Sequence, residues 1–417
     1  MSSSNFGSAL MSIFSLPGKN CRSDCKIHPE VFASKIINTE ASSSSHSLHP
    51  KHLVRSSLIS KNFDIVPLSK KFGIKNFFNL KFWTRIRDNL YTELDNNIFE
   101  FAKVGVVLKN KDLSEKPQGW RLIWRSEPII KFYDLLRSKT IDQSCLNNFA
   151  YKPNSSTFGA LSKVSSMTFG KSEAIFAADF SSAFDVACRH CVNQITNTKL
   201  LPNLINFEVE VANQVSRTHH SLVGTGAGRP SGGGSFNILL DSLFFAADVN
   251  FQNLSAYADD SVIKVDALAS SVESLVEKFK TGTQFGLSVH LSGSKAPCLL
   301  VRPDFVHILN VDNVSVVKET KFLGIMLQFD KNGSVVGKIC NSVYRKLNFL
   351  VHSLTSGFKT AIYESDHKEF VNILKMCSIV IANLIESRIA YHVWLTGQKS
   401  RIVNSANLRI SATNKNF

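Results

Sequence analysis

The sequence lacks an apolar run long enough to cross a bilayer. A span needs about twenty residues, and the richest stretch, Met376 to Ile385, is interrupted by Ser378 and Asn383 and bounded by Lys375 and Glu386. No transmembrane helix and no membrane partner are expected. Cysteine is sparse and scattered, eight in 417 residues, which argues against a disulfide-stapled secreted scaffold and for buried free thiols in an intracellular compartment. A secretory signal is also missing. The Ser-rich start has no arginine before Arg22, so nucleus, cytoplasm and mitochondrion stay unresolved. Acidic residues are in deficit, 33 against 48 Lys and Arg, leaving a net charge of +15 that favours a polyanionic partner. Only 19% of residues are charged and 44% are hydrophobic, which excludes general disorder. The length predicts about two or three domains.

Along the chain, residues 1–75 mix Ser, Lys and His with little apolar periodicity. The run Ser42 to Ser45, followed by His46, His49 and Pro50, reads as a linker. This segment is expected to be a flexible Ser-rich extension. From about Asn76 apolar and aromatic residues recur densely to roughly Leu395, and beyond Gly337 helical apolar periodicity with interspersed Lys and Arg predicts a basic helical carboxy-terminal piece. Short apolar runs predict buried strands at 174–178, 254–258 and 262–265, the last two forming a hairpin with Asp259 and Asp260 at its tip. Ala183, Phe184, Ala187, Cys188 and Cys191 recur at helical spacing, as do Phe236, Leu239, Leu240 and Leu243. Strands therefore alternate with helices.

Pairing these strands would cluster Asp179, Asp259 and Asp260 at one sheet edge. Hard divalent cations take such oxygen ligands and keep open positions for phosphates, and two ions roughly 3.5 to 4 Å apart serve in-line phosphoryl transfer. An isolated Asp-Asp pair in a hairpin is ordinary turn chemistry. Here, however, Tyr257-Ala-Asp-Asp260 is joined by Asp179-Phe-Ser-Ser-Ala-Phe-Asp185. Together they resemble the catalytic palm motifs of reverse transcriptases, particularly the non-LTR retrotransposon type.

Further strings follow in that family's order. Val107-Leu-Lys109 and Gly119-Trp-Arg121-Leu-Ile123 resemble the fingers segment, and Phe149-Ala-Tyr-Lys-Pro-Asn-Ser-Ser-Thr157 the template-strand motif. Phe285-Gly-Leu-Ser-Val-His-Leu-Ser-Gly-Ser-Lys295 is similar to the segment carrying the palm lysine, Lys321-Phe-Leu-Gly-Ile325 to the primer grip, and Ser387-Arg-Ile-Ala-Tyr-His-Val-Trp394 to a thumb sequence. The resemblance covers most of residues 105 to 395, and the shared order is its specific content.

It implies an α+β right-hand polymerase: fingers at 76–170, a palm of antiparallel sheet plus helices at 171–335 with an interleaved fingers segment at 191–235, and a helical thumb at 336–417. It also implies RNA template, nucleic-acid primer and dNTPs as partners, and two Mg2+ ions, or Mn2+ in their place, held by Asp179, Asp259 and Asp260. Lys109 and Arg121 would hold the triphosphate, and Lys295 would protonate pyrophosphate. Phe184 would exclude a 2′-hydroxyl, while Gly232 and Tyr257 would approach the substrate.

Bland readings exist beside each of these. Lys109, Lys295 and the basic set Arg345, Lys346, Lys368 and Arg388 also fit solvated faces, and Phe184 fits a helix core shared with Phe180 and Cys188. Pro230-Ser231-Gly232 departs from the Pro-Gln-Gly common in reverse transcriptases and leaves an RNA-directed RNA polymerase open. A degenerate nucleic-acid-binding protein is the third reading. Gly224-Thr-Gly-Ala-Gly228 lacks the context of a P-loop or dinucleotide fingerprint, and Cys21, Cys25 and His28, or Cys188 with Cys191, make only a minor case for zinc.

Overall fold

The computed structural model describes residues 25–43, 55–59, 100–109, 111–126, 128–180, 183–280, 285–287, 289–290, 296–305 and 311–339. Lys295, the four basic residues from Arg345 to Arg388 and the segment expected as a helical thumb beyond 339 lie outside them. The described chain is a mixed α+β protein with three sheets.

The central sheet has the order β10 (Ser315–Val317), β9 (Cys298–Leu300), β3 (Glu173–Asp179), β8 (Asp260–Asp266) and β7 (Leu254–Tyr257). Successive side chains of a strand alternate between faces, and β3 uses both. Ala174, Phe176 and Ala178 join one apolar cluster, while Ile175 and Ala177 meet another on the opposite face. The first cluster is roofed by α6 (Gly232–Ala246) and α7 (Ala269–Lys280). Helix α6 is buried nearly all round: Phe236, Ile238, Leu239, Leu240, Leu243 and Phe244 fill the core, while the buried Asn237 and Asp241 form hydrogen bonds with neighbouring segments. Helix α7 turns only Val272, Leu275, Val276 and Phe279 inward, the spacing of one helical stripe. The opposite face is closed by α3 (Thr157–Ser166) and a three-stranded sheet of β11 (Thr320–Phe322), β12 (Ile325–Phe329) and β13 (Val335–Ile339).

A second five-stranded sheet orders β2 (Trp120–Ser126), β1 (Glu100–Leu108), β4 (Ile205–Val211) and β5 (Gln214–Val215), with β6 (His219–Ser221) also pairing β4. Helix α2 (Pro128–Thr140) follows β2. The second sheet is covered by α1 (Pro29–Ser43), whose Phe32, Ala33 and Ile36 pack with Trp120, Trp124 and Phe207. The Ser-rich segment 1–75 therefore contributes a docked helix, because Phe32, Ala33 and Ile36 form a short apolar stripe that the surrounding Ser and Lys residues mask.

Two further expectations change. The helix read from Ala183 through Cys191 is two helices, α4 (Ala183–Val186) and α5 (Arg189–Thr196). Between them the backbone leaves helical hydrogen bonding: the Ala187 carbonyl accepts from Gly224 N–H at 2.8 Å, and Cys188 N–H donates to the Phe285 carbonyl at 3.1 Å. The boundary drawn at 335/336 falls inside β13, which pairs Val335 with Phe329 and Ile339 with Ile325. Among the described residues, no helix is long and apolar enough to cross a membrane.

Candidate active site

The strand register brings two of the three expected carboxylates, Asp179 and Asp260, together. Asp179 ends β3 directly opposite Asp260, the first residue of β8, and Asp260 in turn faces Tyr257 across the β7–β8 hairpin. The hairpin turn is thus Ala258-Asp259, with Asp260 already on the strand rather than at the tip. Cross-strand partners project to the same face, so Asp179 and Asp260 share one, and Asp259 stands in the adjoining turn. Like charges directly opposed across strands repel, and such a pair of hard oxygen donors suits a divalent cation.

Among the described residues no group of three or more His, Cys, Asp or Glu forms a ready-made metal cluster. Magnesium, however, is commonly held by one or two carboxylates plus substrate phosphates. The donor set fits that mode.

Cations approach from the second sheet. Arg121 pairs with Val107, and Lys109 lies two residues beyond Val107, its N–H donating to the Gly119 carbonyl at 2.7 Å. The alternation of β1 and β2 therefore puts Arg121 and Lys109 on one face, both exposed, while Trp120, Leu122 and Trp124 turn to the core. Lys35 of α1 joins them: it donates to the Pro117 carbonyl at 3.4 Å and lies within electrostatic reach of Lys109 and Asp185. Sequence reasoning missed Lys35, because nothing local to α1 announces where the helix docks.

These three cations face Asp185. Burial pushes its carboxyl up to about 6 from an ordinary 3.8, against the opposing pull of Lys35, Arg121 and Lys109. A raised folded-state value means that the folded protein binds the proton more tightly, so stability falls as pH rises from about 4 to about 6 and the cost persists above that. Asp185→Asn is therefore expected to stabilise the fold near pH 7 by about 3 kcal/mol. Denaturant unfolding at pH 4 and pH 7 checks this. A variant equally or less stable than wild type at pH 7 would refute the burial account.

Aromatic rings bridge the two groups. Phe184 packs on Phe236 with centroids 5.0 Å apart and meets Tyr151 edge-on at 6.0 Å. Phe180 points elsewhere, into Phe244 and Phe279. Tyr151 holds a positive φ of 59° and is 54% exposed, within electrostatic reach of Asp259, Tyr257 and Arg121. It is a second site residue that sequence reasoning left unassigned. Its ring lies so close to Gly233 that an added Cβ would come within 2.4 Å of it. Gly232 is buried at the start of α6, where an added Cβ would meet the Gly226 carbonyl at 2.6 Å.

The loop leading into α6 is held from beneath. Thr225 N–H donates to the Phe184 carbonyl at 2.9 Å, and Trp124 N–H to the Ala227 carbonyl at 2.8 Å. Arg229 is buried and contacts both Glu100 at 2.7 Å and Asp134 at 2.8 Å, while buried Arg137 pairs with Glu100. Burial alone would raise the Asp134 carboxyl, but Arg229, Arg137 and two hydrogen bonds from Ser231 outweigh it and hold the carboxyl below its usual range. Arg189 is likewise buried, donating to the backbone carbonyls of Val223 and Gly224, each at 2.8 Å.

The fold and site together define an α+β protein with paired carboxylates at a sheet edge and three cations within electrostatic reach of Asp185. Neither known family descriptions nor curated proteins match this chain.

Proposed function

We propose that this protein is a template-directed nucleotidyltransferase, an RNA-directed DNA polymerase that extends a primer 3′-hydroxyl with dNTPs on an RNA template. The observation that carries the reading is the register placing Asp179 opposite Asp260, next to the Ala258-Asp259 turn. Asp179, Asp259 and Asp260 would hold two Mg2+ ions, or Mn2+, which when bound stabilise the attacking and leaving oxygens of phosphoryl transfer. Lys109, Arg121 and Lys35 neutralise the triphosphate, with the arginine able to grip two oxygens at once. The primer oxygen attacks the α-phosphorus, and pyrophosphate leaves. Lys295 is the proposed proton donor to it.

Phe184, braced by Phe236 and Tyr151, sits beneath the sugar in this reading and leaves no room for a 2′-hydroxyl. Ser231, the residue that kept an RNA polymerase open, is buried and donates its hydroxyl to Asp134 at 2.6 Å. That contact accounts for the serine without a ribose.

Primer extension by the full-length chain on an RNA template, with dNTPs or rNTPs offered separately, tests the reading. Wild type is expected to incorporate dNTPs, and Phe184→Ala to raise rNTP use relative to dNTP by on the order of a hundredfold. Ribonucleotide preference in wild type would overturn the assignment. Absence of synthesis with retained, salt-sensitive binding of nucleic acid would favour a degenerate binding protein.

A further inference from the structure

The turn carrying Asp259 adopts a conformation its own residues disfavour. Ala258 has φ 54°, in the left-handed region where a Cβ crowds the backbone at a cost of about 1–2 kcal/mol. Two-residue hairpin turns ordinarily fill such positions with Gly, Asn or Asp. A strained residue of this kind persists only where its surroundings over-determine it.

Here both backbone polar groups of Ala258 bond to one side chain. Asn148 is 2% exposed. Its Nδ2 donates to the Ala258 carbonyl at 2.9 Å, and its Oδ1 accepts the Ala258 N–H at 3.0 Å. The same Oδ1 accepts the Ala150 N–H at 2.9 Å, and Phe149 N–H donates to the Ala256 carbonyl at 2.9 Å. The segment bearing Asn148 is thereby bound to the edge of β7. The Ala258 carbonyl belongs to the peptide that continues into Asp259, so gripping both polar groups of Ala258 sets the plane from which the Asp259 side chain departs.

We propose that Asn148 is the positioning residue of the site: it clamps the left-handed Ala258 and so holds Asp259 where a divalent cation is bound. This rests on the function proposed above. The clamp needs a donor and an acceptor on one side chain. Asn148→Ala removes both, and Asn148→Asp turns the donor into a second acceptor facing the Ala258 carbonyl.

The distinguishing test pairs Asn148→Ala with Ala258→Gly in the full-length chain, because glycine adopts a positive φ without help. Two quantities are read: the turnover number in primer extension, and Mn2+ affinity measured by electron paramagnetic resonance without nucleotide, with Asp259→Asn as reference. Asn148→Ala is expected to lower both by about tenfold or more, and adding Ala258→Gly to restore most of each loss. Should Asn148→Ala fail to fold, the double variant carries the test and is expected to fold and bind Mn2+.

A double variant no better than Asn148→Ala, or an Asn148→Ala that loses thermal stability yet keeps full Mn2+ affinity and turnover, would overturn the positioning assignment. A wild-type chain that binds Mn2+ through Asp259 but extends no primer would overturn the polymerase reading alone.

Discussion

Asp259→Asn is expected to lower nucleotide incorporation by at least about a thousandfold, equivalent to about 4 kcal/mol of transition-state stabilisation. Asparagine matches aspartate in shape and keeps the turn, so the change removes a charge and little else. The proposed site relies on anionic oxygens at the end of the sheet, and the Asp179–Asp260 register supplies two of them next to residue 259. An amide oxygen is a much weaker ligand for a hard cation than a carboxylate. Single-turnover extension by wild type and variant, with circular dichroism to show an unchanged fold, makes the comparison. Activity within tenfold of wild type would remove Asp259 from the metal site.

Asp134→Ala is expected to destabilise the fold by about 3–5 kcal/mol, the usual cost of breaking a buried ion pair by removing one partner. Asp134 is fully buried, pairs with Arg229 at 2.8 Å, and accepts both the Ser231 N–H at 3.0 Å and its hydroxyl at 2.6 Å. Alanine would leave Arg229 and Arg137 sharing Glu100 in the interior and strip the entry to α6 of its acceptor. A domain typically has only about 5–15 kcal/mol in hand, so the loop approaching Phe184 should loosen together with the global loss. Urea unfolding of wild type, Asp134→Ala, Arg229→Ala and the double variant measures this, and the coupling energy isolates the pair. A loss for Asp134→Ala below about 1 kcal/mol would show that the network is dispensable.

Several elements were legible because their information is local. Strand β3 and the β7–β8 hairpin follow from short apolar runs bounded by polar residues, and α6 from the helical spacing of Phe236, Leu239, Leu240 and Leu243. The strand ends were less legible. Asp260 belongs to β8 and not to the tip, because a two-residue turn suffices when Ala258 is held at positive φ, and the residue that holds it lies 110 positions earlier. The break between α4 and α5 was illegible for the same reason. Helical periodicity continues through Ala187 and Cys188, and only the approach of Gly224 and Phe285 draws their backbone groups away.

Residue order alone reveals the apolar runs of β3, β7 and β8, the excess of positive charge, and Asp179, Phe184, Asp259 and Asp260 in strings that resemble polymerase motifs. These depend on residue identity and on neighbours within one or two turns. Long-range packing sets Asp179 opposite Asp260, brings Lys35 of an apparently featureless N-terminal segment near Lys109 and Asp185, lets Asn148 hold the Ala258 turn, and turns Ser231 to Asp134. Each joins residues far apart in the chain. Such contacts are selected by the burial and hydrogen-bond satisfaction of the whole fold, which no local window of sequence contains.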